Sequence, residues 1–426
     1  MAKRREIRGG VYRKTTLANG LRVVSEKLPA VRSVSLGVWV DTGSRHEADS
    51  EHGVSHLIEH MLFKGTRNRN ARQIASSLES LGGSLNAFTA REQTCYTARI
   101  MDEHLPEAID VLADIVCRAS FTPTNLKREK LVICEEIKES LDNPSDRIHD
   151  LFAETFWRGQ PLGRPILGTA DNVLGMRRAL VLNYMKRQYR SESVVIAASG
   201  AIDHDELVAL AGERFDFAEG HAVLSNHAEP PSTQTLNIVS NETEQIHASL
   251  GYPGLSYKEM DRIPMLALTT YLGSGMSSVL FQKVREKRGL AYTVFSYHDA
   301  YRDTGMFGTY FATDKHSVGK ALGITLDEIR RLTKRRLPAE RLDQVKQQLK
   351  GQLMIGMEST AARMSRLGRL ELMLNKYVPL AETVEQIDAV DRDKLIELAR
   401  RTFDDSRLVV TALGPADEGA VASAIL

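Results

Sequence analysis

His56-Leu57-Ile58-Glu59-His60 brings two imidazoles and a carboxylate into one short stretch of chain. The run lies within Val54 to Phe63, whose apolar periodicity reads as a helix. Residues three and four apart on a helix share a face, so the three side chains converge on one point. Two nitrogen ligands with a carboxylate beside a metal-bound water are what a catalytic zinc requires. The order H-x-x-E-H inverts the more familiar H-E-x-x-H, putting the Glu next to the second His. Without a metal, the same residues would form only a hydrogen-bonded polar face. The rest of the chain has to decide between the two.

Two imidazoles leave a zinc short of a ligand, since catalytic sites use three protein groups plus water. The richest acidic stretch downstream is a long helical pattern carrying Glu129, Glu135, Glu136 and Glu139. Glu129 and Glu136 fall on one face, with Ile133 between them on the same stripe. Glu135 is turned about 100° away, toward Lys138 and Asp142. A carboxylate on a buried stripe needs a partner, and a cation is the obvious one. Glu135 and Glu139 read as a solvated face.

The elements that would position these residues occur twice. Cys95–Met101 reads as a strand and Glu107–Arg118 as a helix, followed by Thr122-Pro123 and a long charged helix, Leu126 to Leu141. The second half repeats the order with Gly308–Thr313, Val318–Leu332, Leu337-Pro338 and Leu342–Glu358. Proline at the front of each long helix fits its tolerance in the first turn. Ser33–Val40 and Gln245–Gly251 are strand candidates near the start of each half. Aligning Leu126 with Leu342 sets Glu136 against Gln352 and Glu129 against Val345, so the second half keeps the helix and loses both charges. The place equivalent to the histidine motif reads Thr269–Ser278 and holds no His. An α+β fold of two similar domains follows, each a mixed sheet packed by helices. The expected bounds are 1–218, a linker over 219–234 where Gly220, His221, Asn226, Pro230 and Pro231 interrupt periodicity, and 235–426.

Composition narrows the function. The 426 residues are 42% hydrophobic and 26% charged, as in ordinary globular proteins. A net charge of +1 argues against a dedicated nucleic-acid binder. The three cysteines, Cys95, Cys117 and Cys134, are scattered and odd in number, which suits a reducing compartment and small buried side chains. No apolar run is long enough to span a bilayer, so no membrane association is expected. The basic start (Lys3, Arg4, Arg5, Arg8) lacks the apolar run of a secretory signal and reads as a solvated tail, with the cytoplasm of a bacterium as the expected location and the mitochondrial matrix as the alternative. Leu272-Gly273-Ser274-Gly275-Met276 is glycine-rich, but lacks the Lys and Ser/Thr of a phosphate-binding loop.

His56-x-x-Glu59-His60 followed by Glu136 resembles the inverzincin signature of the pitrilysin family, which includes insulin-degrading enzyme and the mitochondrial processing peptidase. The likeness covers nearly the whole chain. His52-Gly53-Val54-Ser55 before the motif and Met61 to Thr66 (MLFKGT) after it are similar to the processing-peptidase branch. Val132–Ile137 (VICEEI) resembles that family's third-ligand helix, and Arg285 to Tyr292 (REKRGLAY) its second-domain substrate motif.

The resemblance implies that His56, His60 and Glu136 bind one Zn2+ per chain. It implies that Glu59 is the general base on the zinc-bound water, with Glu129 supporting the site from behind. Leu81–Thr89 turns through Gly82-Gly83 and then reads as a strand; its match to the family makes Asn86, Ala87 and Phe88 substrate-binding, through an added peptide strand. Arg285 and Tyr292 match the family's second-domain pair, Arg285 for a substrate carbonyl and Tyr292 for the oxyanion. Taken alone, an Arg in the charged run Lys283–Arg288 reads as solvated. The implied enzyme is a zinc endopeptidase for unfolded peptides, its two domains facing each other as a clamshell and two chains pairing as a homodimer. Val279 departs from the pattern, which commonly has Arg there, and puts one substrate or partner contact in doubt. The other readings are a catalytic subunit that needs a different partner chain and a non-catalytic core subunit of the same fold.

Overall fold

In the computed structural model, which describes residues 10–224 and 227–425, two mixed β-sheets are covered by helices. The first is built from β1 (Val11–Thr16), β2 (Arg22–Lys27), β3 (Ser33–Val40), β4 (Ser84–Thr89), β5 (Thr94–Met101) and β6 (Val194–Gly200), in the order β1-β2-β6-β3-β5-β4. The second is built from β7 (Thr235–Val239), β8 (Ile246–Gly254), β9 (Ala291–Ala300), β10 (Gly305–Thr313) and β11 (Val409–Leu413), in the order β7-β11-β8-β10-β9. Among the described residues, only β2/β6 and β7/β11 pair parallel. Without β1, the two sheets repeat one another in order and strand sense. The doubling read from the sequence is a doubling of topology.

The helices of the first half are α1 (Val54–Leu62), α2 (Ala71–Glu79), α3 (Leu105–Arg118), α4 (Pro123–Asp142), α5 (Pro144–Phe156), α6 (Ala170–Gly175), α7 (Arg178–Gln188) and α8 (His204–Arg214). Those of the second are α9 (Arg262–Gly273), α10 (Val318–Lys334), α11 (Ala339–Gly356), α12 (Thr360–Leu374), α13 (Leu380–Asp388), α14 (Arg392–Thr402) and α15 (Glu418–Ile425). Each strand and helix candidate of the repeat overlaps one of these elements, with ends differing by a few residues: β8 starts one residue after Gln245, and α11 ends at Gly356 and not at Glu358.

The compact units differ from the contiguous stretches 1–218 and 235–426. One unit comprises 1–138, 164–226 and 354–381, and the other 139–163, 227–353 and 382–426. The cause is a reciprocal exchange of helices. α12, from the second half, lies on β2, β3 and β6, burying Met364, Leu367 and Leu372 against Val24, Trp39, Val195 and Ala197. α5, from the first half, lies on β8 and β11 of the other sheet. Each transfer follows a long helix, α4 or α11. The expected linker is also partly packed, because Ala228 is buried with Phe156, Trp157 and Tyr301. Asn226 and the basic residues Lys3, Arg4, Arg5 and Arg8 lie outside the described residues. All three cysteines are free, with Cys95 and Cys134 buried. No described helix is long and apolar enough to cross a membrane.

Candidate metal centre

α1 carries His56, Glu59 and His60, and its start is fixed by two features of the sequence. Gly53, the residue before the helix, has φ +94°, and a Cβ there would meet the Leu167 carbonyl oxygen at 2.7 Å. The left-handed backbone and the close approach both require glycine. Behind it, the buried Glu47 carboxylate accepts the N–H groups of Gly53 and Ser55, each at 2.8 Å. These are amides that the first turn leaves without partners. Burial pushes the Glu47 carboxyl up to about 7, against the pull of those amides and of Arg164.

Glu47→Ala is therefore expected to destabilise the chain by about 2–3 kcal/mol, since two buried donors lose their acceptor. Thermal unfolding of the metal-free chain measures this. The sign of the pH effect follows from the shift. A folded value of about 7 above the ordinary 4.5 means the folded chain binds this proton more tightly, so Glu47's contribution falls as pH rises through that window and is flat above it. Glu47→Gln should remove that part of the slope.

The donor atoms of His56, His60 and Glu136 lie within 4.8 Å of one another. Glu136 Oε2 is 3.8 Å from His56 Nε2 and 3.5 Å from His60 Nε2. A tetrahedral ion with bonds of about 2.0–2.1 Å spaces its ligands roughly 3.3 Å apart, so the two Glu136 separations are within about half an ångström of what zinc needs. The two nitrogens and one oxygen are the donor set zinc takes in peptidases. Burial and the neighbouring His60 push His56 down to about 4, so its imidazole is neutral and has a lone pair to give at neutral pH. Among the described residues, no other His, Cys, Asp or Glu group meets this spacing.

Glu129, 2% exposed, lies on the far side of His60, 3.3 Å from Nδ1, and is held by the Lys64 ammonium at 3.0 Å. One carboxylate of α4 thus faces each nitrogen of one imidazole. A carboxylate at Nδ1 fixes the ring and leaves Nε2 for a metal. Glu135 points to solvent and pairs with Lys138 at 2.6 Å, as its helical offset predicts. Burial raises the Glu59 carboxyl above its ordinary value, while a 2.5 Å hydrogen bond from the Thr89 hydroxyl draws it back down.

The other predicted residues fall in two places. Asn86, Ala87 and Phe88 lie on β4, the outermost strand of its sheet; Asn86 is exposed, and Phe88 meets Trp39 edge-on at 5.6 Å. Arg285 and Tyr292 belong to the second unit. The Arg285 guanidinium lies 4.2 Å from the centre of the Tyr292 ring, which is 74% exposed, and 4.6 Å from that of Phe281. Val279 is buried, so it packs where the family pattern has a charge. Glu47, Lys64 and Thr89 were missed as site residues. Thr89 and Lys64 each lie inside a stretch that the sequence singles out, Leu81–Thr89 and Met61 to Thr66; Glu47 does not.

Residues 22–170 match the family described as Insulinase (Peptidase family M16), and residues 176–349 match the Peptidase M16 inactive domain. An uncharacterized zinc protease of Bacillus subtilis is 39% identical over 93% of this chain and 96% of its own. An uncharacterized zinc protease of Streptomyces coelicolor is 38% identical over 95% and 90%. Among solved structures, a protease from Helicobacter pylori superposes with a TM-score of 0.89 at 21% identity, over 95% of this chain and 100% of that one. Complex III2 from Candida albicans includes a chain that superposes with a TM-score of 0.83 at 22% identity, over 97% and 99%. At such identities the likeness is one of fold. With both family matches in sequence order, and relatives alike over almost their full length, the chain belongs to peptidase family M16, the insulinase family.

Proposed function

We propose that this chain is a zinc-dependent endopeptidase acting on unfolded peptides or extended segments, with one zinc per chain. The observation that carries the reading is the convergence of His56, His60 and Glu136 beside a half-buried Glu59. A bound zinc ion supplies a Lewis acid for the peptide carbonyl and a water acidified toward neutrality. His56 and His60 would hold it through Nε2 and Glu136 through a carboxylate oxygen. Glu59 takes the proton of the attacking water and delivers it to the leaving amine. Glu129 keeps the His60 ring oriented through Nδ1.

The peptide backbone adds to the edge strand β4 at Asn86, Ala87 and Phe88, where main-chain bonding makes little demand on side chains. The match to the family motif supports Arg285 and Tyr292 as further peptide contacts, the guanidinium for a carbonyl and the phenol for the oxyanion. The chain carries both sets of residues, which favours a homodimer over pairing with a different subunit. Three free cysteines suit the cytoplasm.

The test is cleavage of a short, unstructured quenched peptide by the purified, zinc-loaded chain, with its size measured by light scattering. Cleavage that a chelator abolishes and zinc restores is the expected result. A zinc-loaded chain that cuts nothing overturns the reading and turns attention to a missing partner chain or a scaffold role. The scaffold reading draws on the likeness to a Complex III2 chain, but the intact donor set at positions 56, 60 and 136 favours the peptidase.

A further inference from the structure

We propose that Thr89 is a positioning residue that ties the register of a bound peptide to the orientation of Glu59. This rests on the peptidase reading above. The Thr89 hydroxyl donates to Glu59 Oε2 at 2.5 Å, across 30 residues of sequence. A threonine hydroxyl has nearer acceptors in its own backbone. Here it reaches from the end of β4 to the helix that carries the histidines.

The backbone of the same residue has a second role available. Ala90 N–H donates to the Gln93 carbonyl at 2.8 Å, so these two form a hydrogen-bonded pair of the β4–β5 hairpin. Hydrogen-bonded and non-hydrogen-bonded pairs alternate along an antiparallel ladder. With Thr89 opposite Thr94, Ala87 opposite Tyr96 and Leu85 opposite Ala98, those three β4 residues belong to the non-bonded pairs. Their main-chain N–H and C=O groups point away from β5, to the free edge of the sheet. A peptide adding to β4 therefore bonds to the backbone of Leu85, Ala87 and Thr89, displacing the Asn86 amide oxygen that accepts the Ala87 N–H at 2.8 Å. The last of these holds the base.

A half-buried carboxylate can turn about its own axis, and only one rotation presents a free lone pair to the water. The hydroxyl on Oε2 selects that rotation and leaves Oε1 for the proton. A peptide slipped by one residue along β4 would pair Thr89 with a different residue and turn its side chains to the other face. The edge strand then reads more than affinity: it checks that the scissile bond lies opposite a correctly turned Glu59.

The test compares wild type, Thr89→Val and Thr89→Ser in the full zinc-loaded chain. Valine keeps the shape of threonine and loses the donor; serine keeps the donor. Thr89→Val should retain zinc. It should also bind the peptide as wild type does, read by fluorescence anisotropy in a Glu59→Gln background. Its kcat should fall roughly 30- to 100-fold, the scale of a catalytic group misplaced by about 1 Å, with KM little changed. Thr89→Ser should recover most of the rate. Thr89→Val working within threefold of wild type, or an equal loss in Thr89→Ser, overturns the assignment while leaving the peptidase reading intact. A wild-type chain that binds zinc and cuts nothing removes both.

Discussion

Glu59→Gln is expected to leave the metal in place and lower peptide cleavage by about 10²–10⁴-fold, the usual contribution of a general base. Glutamine matches the carboxylate in size, and its carbonyl oxygen can still accept the Thr89 hydroxyl that now meets Oε2. It cannot accept a proton from water. The proposed ligand set of His56, His60 and Glu136 is untouched, so zinc content should equal that of wild type. Glu136→Gln gives the contrasting result, because it removes the charged oxygen 3.5 Å from His60 Nε2 and should lower both zinc content and rate. If Glu59→Gln kept more than a tenth of the activity at full zinc occupancy, the proton would have to go elsewhere. The buried tyrosine pair Tyr96 and Tyr189, whose hydroxyls are 2.8 Å apart, would not serve, since burial pushes both phenols far up.

Much of this site was legible because helices convert spacing into proximity. His56, Glu59 and His60 occupy offsets of three and four, and Glu129 and Glu136 share a stripe. The structure sets those two carboxylates on the two nitrogens of one imidazole, which a shared stripe makes feasible. What the sequence did not reveal depends on contacts between distant elements. Thr89 on Glu59, Lys64 on Glu129 and Glu47 on the first backbone amides of α1 join residues that follow no common period. The helix exchange was hidden for a similar reason. The pattern of α12 gives it a buried face, but no periodicity says which of two like sheets that face will cover.

Gly368→Ala tests the exchanged helix directly and should destabilise the chain by about 1–3 kcal/mol, the range for overpacking a filled core. Alanine inside a helix ordinarily gains about 1 kcal/mol over glycine, so the sign must come from packing. A Cβ on Gly368 would lie 2.3 Å from Nε1 of Trp39. The indole cannot retreat: it is fully buried, its N–H donates to Met364 Sδ at 3.3 Å, and Phe88 meets its edge. Gly351, in the preceding helix α11, supplies the control, because a Cβ there meets nothing within 4 Å. Gly351→Ala should raise the melting temperature while Gly368→Ala lowers it, both read by thermal unfolding of the metal-free chain. Equal gains in the two variants would mean that α12 does not press on Trp39, and the exchange would fail with it. A loss at Gly368 alone carries further, since Trp39 supports Phe88 on the strand that ends in Thr89. Packing from the second half of the chain then holds the edge strand on which the proposed base is oriented.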